Sequence, residues 1–237
     1  MEHKIFRNQK DSVEVKVFSA PDTVARLLLR QHPLEIDAAG QQAERTHLMV
    51  VGFDGLGQAI AREALFTGHY ANLQKLKLTV VDHNLKEGEA RFHYRHPGLD
   101  HVCEATFQEC EVNSVDFDQL KALNQRPPKG EKLTVALCLG DDMLNFSTAL
   151  KISSLMKSHE AGDSIKILFK AHDNRGVARL LDISGNAPSS QSPPIIPFGM
   201  TEEECNFQTV IAPGREEIAR EMHTRYFDAF IAKGEKV

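Results

Sequence analysis

Short runs rich in Val, Ile and Leu alternate along the chain with longer stretches whose apolar residues recur at helical spacing. The short runs fall at residues 47–52, 76–82, 132–139 and 165–170, with a weaker one at 101–110. Between them, residues 56–67, 115–123, 143–157 and 175–181 carry the helical periodicity. This rhythm predicts βαβ units, and hence an α/β fold on a doubly wound, mostly parallel sheet. Leu48-Met49-Val50-Val51 and Thr134-Val135-Ala136-Leu137 are almost continuously apolar. Central parallel strands, buried on both faces, need that pattern.

The flanks follow a different pattern. Residues 1–45 read as an N-terminal extension with a strand at 13–17 and a helix started by Pro21-Asp22 that carries Val24, Leu27 and Leu28. Residues 46–198 form the expected domain, closed by a short edge strand at 194–198. The prolines of the stretch 189–194 block helix continuation. Residues 199–237 read as a C-terminal helical segment, in which Ile218, Met222, Tyr226 and Phe230 fall every fourth residue and make a packing stripe.

The sharpest local signal follows the first strand, where Gly52-Phe53-Asp54-Gly55-Leu56-Gly57 leads directly into a helical pattern. Strand, glycine turn and helix in that order are the context of a dinucleotide fingerprint, and they make the expected fold Rossmann-like. Gly52 would permit the tight turn and Gly57 the close helix packing, with the helix amides facing a phosphate. The second strand ends at Asp82, where a carboxylate can accept hydrogen bonds from a ribose. These residues point to NAD or another adenine nucleotide. Asp54 departs from the pattern, because it stands where a middle glycine lets backbone approach the pyrophosphate. Gly55 follows one residue out of register. A bound nucleotide therefore competes with a Rossmann-shaped domain whose ligand is lost or altered.

At these residues the chain resembles the RCK (regulator of potassium conductance) or TrkA-N family. The likeness rests on Val50 to Gly57 followed by Leu78 to Asp82, on Leu139-Gly140-Asp141-Asp142 with Asn145, and on Ile167 to His172, in which Lys170 takes a position usually held by a basic residue. Residues 217–226 look like the opening helix of a ryanodine-receptor-type repeat. The resemblance implies a cytoplasmic, nucleotide-sensing regulatory domain of a potassium channel or transporter, and no reaction. It implies a homodimer working with a membrane channel or transporter segment. It also assigns Gly52, Gly57 and Asp82 to the binding pattern, with Lys170 neutralising phosphate charge. A nicotinamide-dependent oxidoreductase domain and a degenerate Rossmann module used for assembly remain the alternatives.

Composition narrows the classes. The 237 residues carry 28 Lys+Arg against 33 Asp+Glu, a net charge of −5, which excludes a generally basic nucleic-acid binder. No stretch approaches the ~20 apolar residues of a membrane span, and the first residues lack the apolar core of a secretion signal. Cys103, Cys110, Cys138 and Cys205 form no Cys-x-x-Cys pair and read as reduced thiols of a cytoplasmic protein. Asp54, Asp82, Asp141 and Asp142 all fall at expected carboxyl ends of strands, where oxygen ligands suit Mg²⁺ or Ca²⁺. Helix capping by Asp141 or Asp142 is the simpler reading. His93, His96, His101 and Cys103 match no standard zinc spacing, and they read as a polar loop. No Tyr-x-x-x-Lys pair and no Gly-x-Ser-x-Gly elbow occurs, so no catalytic motif is expected.

Overall fold

The computed structural model describes residues 19–35, 43–68, 74–159, 161, 164–172 and 192–199. All of them fall within the compact unit Ser19–Glu204. The strand expected at 13–17, the helices expected at 175–181 and in the C-terminal segment, and residues 189–191 of the proline-rich stretch lie outside the described residues.

Six strands form one sheet: β1 (Arg45–Val51), β2 (Leu76–Asp82), β3 (Cys103–Glu109), β4 (Glu131–Leu137), β5 (Ile165–Lys170) and β6 (Ile195–Phe198). Their order is β3-β2-β1-β4-β5-β6, and every neighbouring pair is parallel. This is the Rossmann-like α/β arrangement that the alternation predicts. The order reverses between β1 and β4. In open sheets of this kind ligands enter at that switch point, beyond the carboxyl ends of the strands.

Both faces of the sheet are covered, and strand alternation decides which residues go where. Leu48, Val50, Leu78, Val80 and Leu168 point to one side, where they pack with α1 (Ala20–Gln31), α2 (Gly55–Thr67) and α3 (Lys86–Arg95) through Leu28, Ile60 and Phe92. Met49, Val51, Val135, Leu137, Ile167 and Phe169 point to the other, against Ile152 and Met156 of α6 (Asp142–Ser158). The helix started by Pro21-Asp22 is therefore part of this core, with Val24, Ala25, Leu28 and Leu29 buried. Arg62 of α2 pairs with Asp22 of α1, and Lys166 of β5 donates to the carbonyl of Pro33 just beyond it.

Two segments differ from expectation. Residues 86–95 form α3 rather than a loop, and the turn α4 (Leu99–Val102) follows. Only Phe92 of α3 is buried, so the helix has no apolar stripe to announce it. Conversely, the helical spacing at 115–123 yields one turn, α5 (Val115–Asp118), capped by Ser114. Phe117, Leu120 and Leu123 still reach the core, but the chain carries them through successive three-residue turns, Leu120 N to Phe117 O and Leu123 N to Leu120 O. Among the described residues, no helix is long and apolar enough to cross a membrane.

The turn after β1 allows almost no added atoms. A Cβ on Gly57 would stand 2.0 Å from the carbonyl oxygen of Gly52, and one on Gly52, whose φ is +90°, would stand 2.7 Å from the carbonyl oxygen of Cys138. At Gly55 the nearest atom would be Pro21 Cγ at 4.0 Å. We expect Gly57→Ala to lower stability in urea denaturation by about 3 kcal/mol or more, because backbone must move. Gly55→Ala should stay within about 1 kcal/mol of the parent.

Candidate functional site

Asp54 stands at the N-cap of α2, with extended backbone (φ −78°, ψ −160°). Its Oδ1 accepts from the amides of Leu56 at 3.1 Å and Gly57 at 3.5 Å. These are first-turn amides, which have no partner inside the helix and carry the positive end of its dipole. In a working fingerprint they would face the pyrophosphate. Here a carboxylate of the chain itself takes up that anion position, so the residue that breaks the motif is also the residue that satisfies the amides.

Asp82 ends β2 at the same turn. Its Oδ2 accepts from the Phe53 amide at 2.6 Å, and its Oδ1 from the Asn84 amide at 3.0 Å. His83 Nδ1 lies 2.9 Å from that Oδ1. The carboxylate therefore ties the end of β2 to the glycine turn. Phe53 itself is buried, and it meets Phe92 and Phe107 edge-on with ring centroids 5.3 and 5.7 Å away. α3 presses on this group closely enough that a Cβ on Gly88 would stand 3.3 Å from the Phe53 ring. Gln58 donates its side-chain amide to the Phe53 carbonyl at 3.0 Å.

Across the switch point, Asp141 caps α6 by accepting from the Leu144 amide at 2.7 Å. Asp142 instead reaches the end of β5, accepting from the His172 amide at 2.8 Å and meeting His172 Nδ1 at 2.6 Å. Lys170 donates to the carbonyls of Ala171, at 3.4 Å, and Gly199. Asn145, fully buried, accepts from the Leu139 amide at 2.9 Å and donates to the carbonyls of Leu139 at 3.0 Å and Lys170 at 3.1 Å. Three of the four bonding positions of the amide side chain are filled in this way, which needs backbone groups held at fixed spacing. Asn145 thus locks the ends of β4 and β5 to the start of α6.

The two halves meet at Cys138. Burial first, then the negative charge of Asp54, push its thiol far above the ordinary range, while Lys170 pulls the other way. Burial likewise pushes Cys103 up to about 11. Both thiols are protonated at neutral pH and are poor nucleophiles.

Gly52, Asp54, Gly57 and Asp82 therefore converge on one turn, and Asp141 and Lys170 on the other side of the crevice. Gly55 opens α2 and supplies no close backbone contact. The sequence marks no role for Phe53, and it reads Asp142 as a cap or oxygen ligand and not as the partner of His172. The glycine spacing draws attention away from Phe53, and nothing in the sequence pairs residue 142 with residue 172. Among the described residues, no three of His, Cys, Asp and Glu are grouped so as to hold a metal ion. No family model, curated protein or solved structure matches this chain.

The cap bonds give a direct expectation. Asp54→Ala should lower stability by about 1 kcal/mol in urea denaturation, whereas Asp54→Asn, which keeps a side-chain oxygen, should cost no more than a few tenths. Asn145→Ala should cost about 2–4 kcal/mol, since it leaves three half-buried backbone groups without the bonds Asn145 makes to them.

Proposed function

We propose that this chain is a regulatory, ligand-sensing Rossmann module of the RCK or TrkA-N kind, acting on the cytoplasmic side of a potassium channel or transporter as a homodimer. Its ligand is an adenine nucleotide whose phosphate must displace the Asp54 carboxylate from the first turn of α2. The observation that carries this reading is the pair of hydrogen bonds from Leu56 and Gly57 to Asp54. They are the bonds of a helix N-cap, and on this reading the carboxylate holds the place that a phosphate would take. Further support comes from the parallel order reversing between β1 and β4, with Asp82 and Lys170 on either side of the reversal. Regulation then follows as a population shift: nucleotide binding favours the arrangement in which Asp54 has left α2, and that arrangement biases an attached gate.

The sealed seat also favours a second reading, in which the module serves assembly alone and takes no nucleotide. Calorimetric titration with NADH, NAD⁺, ATP and ADP, with and without Mg²⁺, separates the two. On the sensing reading the parent chain binds one of these weakly. Asp54→Gly then tightens binding by about tenfold, ~1.4 kcal/mol, through loss of both competitor and repulsion. Failure of every nucleotide to bind either protein would leave the assembly module. Substrate-dependent NADH turnover would instead favour an oxidoreductase domain.

A further inference from the structure

The opposite end of the sheet holds a polar cluster that the crevice does not use. His47, Glu131 and Thr79 are all buried, on β1, β4 and β2. His47 Nδ1 lies 3.0 Å from Glu131 Oε1, and His47 Nε2 lies 2.9 Å from Thr79 Oγ1. Lys77 donates to the same Glu131 oxygen at 3.1 Å. His47 pairs in register with Lys77 of β2 and Leu133 of β4, and its imidazole joins β1 to the first residue of β4, Glu131, and to the middle of β2 at Thr79.

The partners fix the tautomer. Ionised Glu131 can only accept, so His47 Nδ1 carries the proton, and in the neutral ring Nε2 then accepts from the Thr79 hydroxyl. Every polar atom of the ring is satisfied in that state. The charges also balance: Lys77 compensates Glu131, and Arg45, next along β1, pairs with Glu104 of β3. A second proton on His47 would have to share the Glu131 carboxylate with Lys77. It would also face the Thr79 hydroxyl, force that hydroxyl to turn away, and leave two positive groups on one buried carboxylate.

We propose that His47 is a proton-operated lock: neutral, it ties β1 to the start of β4 and to the middle of β2, and on proton uptake in mild acid it releases them. Titration agrees with the geometry. Burial first, with Lys77 and Arg45 adding to it and Glu131 opposing, holds His47 below its ordinary value of 6.5. A group with a depressed value in the folded chain takes up its proton more readily when the structure opens. The stability it confers is full above pH 6.5 and is lost as pH falls below that value. Glu131 acts in a separate window. Burial would raise it, but the hydrogen bonds and charges of His47 and Lys77 prevail and hold it at about 2, against an ordinary 4.5. Its contribution is lost only as pH falls from 4.5 towards 2.

Amide hydrogen exchange on the whole chain, corrected for the intrinsic rate, tests the lock. Between about pH 7.5 and about pH 5.5, amides around His47, Thr79 and Glu131 should lose up to about tenfold in protection, while those at the carboxyl ends of the strands keep theirs. His47→Gln should abolish the difference. Where that variant does not fold, Lys77→Met serves: with one positive charge gone, protonated His47 can compensate Glu131, and the response should shrink or reverse. Overturning results would be uniform or unchanged protection in the parent, an undiminished response in Lys77→Met, or a His47 imidazole resonance that titrates at or above pH 6.5.

Discussion

The carboxyl edge of this domain depends on one steric constraint, the approach of α2 to the turn that launches it. With the Gly57 Cα against the Gly52 carbonyl there is room for a hydrogen atom and nothing larger. Gly52 is pressed in turn against the Cys138 carbonyl, at the end of the neighbouring strand. Three backbone segments from β1, α2 and β4 are thereby stacked within contact distance at the point where the strand order reverses. The glycines that a dinucleotide motif requires for a ligand are already required for packing, so their presence alone does not report a ligand.

Hydrogen bonds then fix what the steric contact brings together. Asp82 holds the Phe53 amide, Asn145 holds both backbone groups of Leu139 and the carbonyl of Lys170, and Asp142 holds His172. Each links the end of one strand to an element distant in sequence. The carboxyl ends of the strands are thus lined by side chains that bond to the protein's own backbone, so on the sensing reading a ligand there would exchange bonds.

Much of the fold was legible because its central strands are buried on both faces. Leu48 to Val51 can be nothing but a core strand once a glycine turn and an amphipathic helix follow it. α1 was legible as a helix for a similar reason, since Pro21 and Asp22 mark a start and Val24 and Leu28 supply a face. α3 was not, because a single buried aromatic, Phe92, leaves no period to detect. Residues 115–123 misled for the opposite reason: apolar spacing of three suits consecutive turns as well as a helix. The sequence places Gly52, Asp54 and Gly57 in the turn after β1 and Asp82 at the end of β2, and the structure has them there. It read Asp54 as an obstacle to a ligand, since a motif describes what its positions do with the ligand present. That the carboxylate would cap the same amides depends on its backbone angles, which residue identity does not encode.

Asp54 can also be viewed as a tethered competitor. It sits within three residues of the amides it occupies, so its effective concentration at that seat is of millimolar order or above and cannot be diluted away. On the sensing reading, an anion arriving from solution would compete against that fixed internal concentration. Weakly held anions such as free phosphate would be excluded at ordinary levels, and only a ligand with further points of attachment could prevail. The substitution that spoils the fingerprint would in this way set a threshold of selectivity, giving the domain a defined resting state.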